Sequence, residues 1–454
     1  MQVAYGALRI CPQPRLSQTS RFGSRRTPVL QALLVAPRSK NSGSRDGKTV
    51  IKCSSWETEE DGGKRKTTRH VASTALALAL ATLELVAPIT PWIVIPPAEA
   101  LLSAPNANIP RSVDAALRRS IPIVNPASKK IQDIIEDTAF LLRIPQRKPY
   151  GNMTVNAEKS IAILRANRAS LIEICPQADQ AAATELVDTL ELQLGKLITA
   201  IETRDPDRVS FKIADVLKTL SALELLEAPG LPYLLPPQYQ SFPRLTGRAT
   251  VEFDLIKGSG SKQQFVSKIG GGGSDTGRLL LVLDGYSAPL TAGHFAQLVQ
   301  EQYYDGAVMA NGASSVYAGG PESTTKQTPT TKLALPLELK PADSFEPQYR
   351  LPLDISGGEY PGLPMSLFGS VAMTHQEDSF DSDPAKFFFY LFDKANSGLG
   401  GLSFDEGTFA VFGYVTDGRE LLGQIEKGDV IKSAKIVSGA EKLVPGSIIP
   451  DVAS

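Results

Sequence analysis

Between residues 105 and 228, apolar residues recur at the three- and four-residue spacing of amphipathic helices. The width of each apolar stripe suits burial in an antiparallel bundle. Asn125 and Asp205 are each followed by proline, which is the pattern of an N-cap and the first helical position. The spacing predicts helices near residues 111–120, 126–142, 156–174, 178–203 and 206–223. The leucine stripes would also suit a partner-binding zipper, but several short amphipathic helices more often bury one another.

From Gly247 onward the pattern changes to short apolar runs with strand-like alternation, separated by glycine-rich turns. Strands are predicted at 251–255, 279–283, 369–374, 387–392, 409–415 and 430–437, and a helix from Pro289 to about Gln302. Many short strands with a pair of helices favour a closed barrel. The sequence therefore predicts a multidomain α+β protein with an N-terminal antiparallel helical bundle, residues 101–228, and a C-terminal closed antiparallel β-barrel, residues 247–440.

A proline-rich linker, residues 229–246, joins the two predicted domains, and residues 441–454 form a short C-terminal tail. Proline-rich segments are stiff and extended. Because Tyr233 and two leucines lie within the linker, we expect it to pack against a domain rather than hang free.

The first hundred residues have the composition of a targeting leader in two parts. Residues 1–56 contain ten Lys/Arg and a single acid, which is typical of an organelle transit peptide. Within residues 57–100, a basic cluster precedes a short apolar run and an Ala-x-Ala cleavage pattern ending at Ala100. A membrane-spanning helix is the alternative, but a span needs about 20 apolar residues, and Glu84 interrupts the run. The order predicts entry into a chloroplast and then into the thylakoid lumen, with the mature chain peripheral to the membrane at most.

The mature part, residues 101–454, is acidic, with 33 Lys/Arg against 41 Asp/Glu. Proteins that bind nucleic acid usually present a basic face, so nucleic acid is not an expected partner. Beyond the leader the sequence has one cysteine, Cys175, and two histidines, His294 and His375, so we expect no intrachain disulfide and no metal site. No motif indicates a cofactor, because the glycines at 270–273 lack the Lys-Ser/Thr of a phosphate-binding loop.

Five segments in the second half together carry a family signature. They are Ala288-Pro289-Leu290-Thr291, Tyr304-Asp305-Gly306, Gly369-Ser370-Val371-Ala372-Met373, Phe387-Phe388-Phe389 and Phe409-Ala410-Val411-Phe412-Gly413. In this order they resemble the motifs of cyclophilins and cover about residues 247–440. With its bipartite leader and helical domain, the chain resembles the large thylakoid-lumen cyclophilins of plants and algae. The resemblance implies a barrel of cyclophilin type.

The resemblance also implies a role in the assembly, stability or repair of photosystem II, through contact with the lumenal loops of its subunits. The activity of the family is peptidyl-prolyl cis-trans isomerisation, so an active folding catalyst of the lumen is an alternative function. A third function is regulation of a thylakoid membrane phosphatase through the helical domain. We also expect the helical domain to pack on the barrel and mask its cleft.

Cyclophilins place an arginine against the prolyl nitrogen, a few residues after the segment matched here by Tyr304-Asp305-Gly306. That position falls on Ala310 or Asn311, and no Lys or Arg occurs from residue 279 to residue 325. The resemblance therefore predicts that no catalytic residue is intact and that isomerase activity is weak or absent. Candidate cleft residues are Met373, Phe388, His375, Tyr317, Phe404 and Phe409. Of these, Met373 and Phe388 suit the core equally well, and His375 is a candidate hydrogen-bond donor.

Acidic residues cluster in two regions of the predicted barrel. The first group is Glu338, Asp343, Glu346, Asp354 and Glu359, and the second is Glu377, Asp378, Asp381 and Asp383. They are expected either to meet basic partner loops or to form an ordinary solvated surface.

Overall fold

The computed structural model describes residues 109–446, apart from 146, 229, 262, 267–271, 321–333, 377 and 399–400. The predicted leader, residues 1–100, and most of the predicted tail therefore lie outside the described residues. Within the described ranges, no helix has both the length and the apolar content needed to cross a membrane.

The N-terminal half of the described chain is helical. Its helices are α1 (Val113–Ser120), α2 (Pro126–Leu142), α3 (Tyr150–Ala166), α4 (Arg168–Glu173), α5 (Gln180–Glu202) and α6 (Pro206–Glu227). The predicted caps are confirmed, because the side chains of Asn125 and Asp205 accept hydrogen bonds from the first backbone N–H groups of α2 and α6. The bounds predicted for the helix near residues 156–174 are wrong. It begins at Tyr150, and Asn167, with φ −115° and ψ 15°, separates α3 from α4.

The apolar stripes of α2 to α6 bury one another in a single core, which confirms the predicted bundle. Its fully buried members include Ile131, Ile135, Leu164, Val187, Leu190, Leu194, Leu197, Val216, Leu220 and Leu223. Burial of one such side chain is worth about 1.5–3 kcal/mol, so packing, more than intrinsic propensity, stabilises these helices.

The C-terminal half forms the predicted antiparallel barrel. Its strands are β1 (Arg244–Leu245), β2 (Arg248–Ile256), β3 (Phe265–Val266), β4 (Gly273–Ser274), β5 (Thr276–Asp284), β6 (Ala307–Val308), β7 (Ala310–Asn311), β8 (Ser315–Ala318), β9 (Glu338–Leu339), β10 (Gln348–Tyr349), β11 (Ser370–His375), β12 (Ser382–Tyr390), β13 (Val411–Asp417), β14 (Val430–Ser438) and β15 (Leu443–Val444). Its helices are α7 (Pro289–Gln300) and the single turn α8 (Arg419–Leu422).

The main sheet of the described residues runs in the order β6-β14-β2-β5-β13-β11-β12-β8-β7. Its two outermost strands, β6 and β7, are separated along the chain only by Met309, so one segment joins both edges and closes the barrel. Inside, Phe387 and Phe389 pack with Phe253, and α7 contributes Phe295 to the same core. Because side chains alternate along a strand, Phe388 points away from this core.

The segment between β8 and β11 attaches to the start of α7 through a buried carboxylate. Glu338 is 1% exposed and accepts hydrogen bonds from the backbone N–H of Leu290 and Thr291 and from the Thr291 hydroxyl. The expectation that Glu338 belongs to an acidic surface is therefore wrong, because it satisfies the free N–H groups of a helix N-terminus. Burial raises the pKa of this carboxyl to about 7.

The proline-rich linker packs on the barrel, as predicted. Leu235 and Tyr239 bury against Leu290 of α7, and the Tyr233 hydroxyl donates to the carbonyl of Tyr286 at 3.0 Å. The linker thus fixes the path of the chain between bundle and barrel.

Helix α1 lies between the bundle and the barrel and contacts both. On one side, Arg118 and Arg119 pair with Glu136 of α2 at 2.9 and 2.8 Å. At the C-terminal end of α1, Arg248 of β2 donates to the Ser120 hydroxyl at 2.8 Å and to the carbonyl oxygen of Leu117. The Ser120 hydroxyl in turn donates to the buried carboxylate of Asp284. The first predicted helix is therefore a bridge, with polar contacts to each domain.

Candidate functional site

The two positions at which the resemblance places the family's arginine, Ala310 and Asn311, form β7. Ala310 pairs directly with Tyr317 of β8, and Asn311 pairs with Val316. Directly opposed residues in an antiparallel pair project from the same face of the sheet. Val316 is fully buried in the barrel core, whereas Tyr317 packs on outward-facing Phe388 with ring centroids 5.9 Å apart. Of the two positions that the resemblance leaves open, the register therefore places Ala310 on the outer face, beside Tyr317.

Five rings form a continuous row on this outer face, which we call the aromatic row: Tyr317, Phe388, Phe409, His375 and Phe380. Successive ring centroids lie 5.9, 5.2, 4.4 and 5.7 Å apart. Phe388 and Phe409 in the middle are 5% and 9% exposed, whereas Phe380 at one end is 44% exposed. The row therefore offers apolar and aromatic surface that runs from a buried centre to an open end, which suits the apolar ring of a proline.

Strand alternation brings these rings together. Phe388 of β12 pairs with Ala372 of β11 on one side and with Tyr317 of β8 on the other, so all three project outward. His375 ends β11, and Phe409 precedes β13. Four of the six residues that the sequence singled out thus meet on one face.

The other two candidates lie elsewhere. Met373 pairs with Phe387 and lies fully buried inside the barrel core, as the alternation of β11 requires. Phe404 lies in the segment before β13 with its side chain 80% exposed, and it makes no ring contact with the row among the described residues. Phe380 is a member of the row that the sequence did not indicate, because it lies in the loop between β11 and β12 where no periodicity marks it.

Helix α1 covers part of the same face. Its apolar residues Val113, Ala116 and Leu117 belong to the cluster that contains Phe388 and Phe409. The bridging helix therefore belongs to the apolar cluster that surrounds the middle of the aromatic row, while the end at Phe380 is exposed.

Several carboxylates lie close along the chain to Phe380, the open end of the row. Asp383 accepts a hydrogen bond from the Thr374 hydroxyl. Asp381 Oδ1 lies 3.5 Å from Arg350 Nε, and Asp378 is exposed. Glu377 lies outside the described residues. No group of three or more His, Cys, Asp or Glu side chains in the described ranges is arranged to hold a metal ion.

Comparison with known proteins explains both halves of this architecture. Residues 112–226 match the PsbQ-like domain of CYP38-like peptidyl-prolyl cis-trans isomerases, and residues 271–441 match the cyclophilin-type peptidyl-prolyl cis-trans isomerase domain. A chloroplastic peptidyl-prolyl cis-trans isomerase of Arabidopsis thaliana, CYP37, is 46% identical over 353 residues, which are 77% of this chain and 74% of the relative. The chain belongs to the cyclophilin-type peptidyl-prolyl cis-trans isomerase family.

Two further relatives of this cyclophilin share both domains across most of their length. A putative thylakoid lumen peptidyl-prolyl cis-trans isomerase of Synechocystis is 32% identical and covers 74% of this chain and 84% of its own. Chloroplastic CYP38 of Arabidopsis thaliana is 30% identical, and the match covers 77% of this chain and 78% of the relative. The relatives are chloroplastic or thylakoid-lumen proteins, and this cyclophilin is a protein of the chloroplast thylakoid lumen, as predicted.

Proposed function

We propose that this lumenal cyclophilin binds lumenal segments of photosystem II subunits and assists their assembly, stability or repair, with weak or no isomerase activity. The observation that carries the proposal is the pairing of Ala310 with Tyr317 on the outer face of the barrel. A surface for a proline ring is present, but the side chain beside it is a methyl group where the family has a guanidinium.

The energetic argument concerns the transition state. Rotation about a peptide bond has a barrier of about 18–20 kcal/mol. A catalyst lowers this barrier with groups aimed at the twisted amide, and loss of one such donor costs about 100- to 1000-fold in rate. Because the side chain of Ala310 has no polar atom, it cannot polarise the amide, although the aromatic row still offers contact area for binding.

An active prolyl isomerase is the second candidate, and it is supported by the names of the relatives. A protease-coupled assay with a proline-containing peptide and residues 101–454 separates the two candidates. We expect turnover near the uncatalysed rate, since β7 offers no cation beside the aromatic row. Robust turnover that cyclosporin inhibits would refute the proposal and establish the second candidate.

The proposed partners require a separate test in the native membrane. Cross-linking of the mature protein in intact thylakoids, followed by mass spectrometry, is expected to recover peptides from lumenal loops of photosystem II subunits. Recovery of other lumenal or membrane proteins, with photosystem II peptides no more abundant than in a mock sample, would contradict the proposed role.

A further inference from the structure

His375 carries a hydrogen-bonding atom that the fold leaves unused. Its Nδ1 lies 2.8 Å from the carbonyl oxygen of Gln376. A carbonyl oxygen only accepts, so Nδ1 carries the hydrogen, and Nε2 of the neutral ring is then an acceptor. Nε2 is enclosed and has no hydrogen-bond partner among the described residues. The sequence suggested His375 as a donor, whereas the unpaired nitrogen of its neutral ring, Nε2, is an acceptor.

The surroundings of Nε2 are aromatic. The imidazole lies against Phe409 at 4.4 Å with an interplanar angle of 31°, and Phe380 packs beside it at 5.7 Å. Buried polar atoms are almost always hydrogen-bonded, since an enclosed acceptor without a partner is costly. Nε2 is thus an unpaired acceptor within a row of rings, which a donor from outside the chain can reach when a neighbouring ring moves aside.

The donor that fits is a backbone N–H. Proline has none, but the residues on either side of it do. In the extended polyproline conformation these N–H groups make no internal hydrogen bonds and are free to bind a partner. Recognition of such segments commonly joins an aromatic surface for the proline with a hydrogen bond to the neighbouring backbone.

We propose that His375 Nε2 accepts the backbone N–H of a residue that flanks the proline of a segment bound on the aromatic row. This inference rests on the proposed function, because it names the contact by which the same face selects its peptide. Phe380, exposed and in the loop between β11 and β12, is the neighbouring ring that we expect to shift as the donor enters. The contact contributes to binding and orientation and transfers no proton.

Binding of labelled peptides to the mature chain tests the contact. The probes are a fluorescein-labelled Ala-Ala-Pro-Ala-Ala peptide, two versions N-methylated at the alanine before or after the proline, and a control N-methylated at the last alanine. We expect one flanking N-methyl group to weaken binding to the wild-type chain by about 5- to 10-fold, because it removes a single donor. The control peptide is expected to bind like the parent.

Two variants at one position separate this role from a packing role. His375→Phe keeps a flat ring and removes the acceptor, so the parent and the flanking N-methyl peptides should bind it within twofold of each other. His375→Gln supplies an amide oxygen and should restore part of the discrimination. Thermal unfolding of each variant checks that the barrel is intact.

The results distinguish failure of this contact from failure of the proposed function. If the parent peptide binds but N-methylation costs the same in the wild-type chain and in His375→Phe, His375 is not the acceptor, while peptide binding stands. If no peptide binds the wild-type chain, both the proposed function and this contact are wrong.

Discussion

Replacement of Ala310 by arginine is expected to raise kcat/KM for prolyl isomerisation by about 100-fold over the wild-type chain. Ala310 lies opposite Tyr317, whose ring packs on Phe388, so an arginine there projects on the face that carries the aromatic row. Neighbouring strands are about 4.8 Å apart, a separation that an arginine side chain spans easily. The protease-coupled assay on matched wild-type and Ala310→Arg proteins measures the gain.

Asn311→Arg is the matched control for this experiment. Asn311 is the next residue of the same strand and is equally exposed, but its partner Val316 projects into the barrel core. An arginine at 311 adds the same charge without placing it beside Tyr317, so kcat/KM should stay within a few-fold of the wild-type value. Equal gains in both variants would mean that general charge, and not position on the outer face, limits the rate.

The free energy of unfolding is expected to fall by about 6 kcal/mol between pH 5 and pH 8.5, because two carboxyl groups are buried in the bundle. Glu224 and Glu227 of α6 are 0% and 1% exposed. Burial raises the pKa of Glu224 to about 8 and that of Glu227 to about 7. The negative charge of Glu227 raises the pKa of Glu224 further, while the positive charges of Arg118 and Lys129 lower it.

The packing of α6 on α2 explains this burial. The Ser128 hydroxyl donates to Glu227 at 2.8 Å, and the Gln132 amide nitrogen, oriented to satisfy both groups, donates to Glu224 at 2.9 Å. Neither contact supplies a positive charge, so the protonated carboxyl is the stable form inside the bundle.

The direction of the pH dependence follows from proton linkage. Between the ordinary pKa near 4.5 and the raised values near 7 and 8, the folded chain binds more protons than the unfolded chain. Stability therefore decreases as the pH rises through this window and levels off above it. Thermal unfolding from pH 5 to pH 8.5 should show a lower midpoint at each higher pH, by about 10–20 °C in total.

The double variant Glu224→Gln/Glu227→Gln removes both ionisations and should flatten this part of the profile. Glu202→Gln, at the exposed end of α5, is the matched control and should retain the wild-type slope. A double variant with an unchanged slope would show that other groups control the stability in this range.

The alternation of apolar residues was sufficient to predict the barrel, but the sequence left Phe388 open between the core and the cleft. Phe387 and Phe389 enter the core because a strand has a period of two, and the residue between them must face the other way. The same rule limits the prediction at Ala310 and Asn311. A slip of one residue exchanges the two faces, and only the observed register with β8 decides between the positions.

Features that depend on distant partners were not predictable. Glu224 and Glu227 lie within a leucine-rich stripe and would ordinarily be assigned to a solvated helix surface. Their hydrogen-bond partners, Gln132 for Glu224 and Ser128 for Glu227, come from another helix. The strands from Ala307 to Ala318 are too short to show a period. Phe380 joins the aromatic row through the path of a hairpin loop, which no local pattern specifies.

The position of α1 has a consequence for the history of such two-domain chains. In sequence it belongs to the helical half, but its apolar side chains are covered by the barrel, and its arginines pair with the bundle. A gene fragment cut at the proline-rich linker would leave Val113 and Leu117 facing water on one product and would remove them from the cluster that contains Phe388 on the other. Shuffling of either half into an unrelated protein would therefore require compensating substitutions on both, which favours inheritance of the pair as one unit.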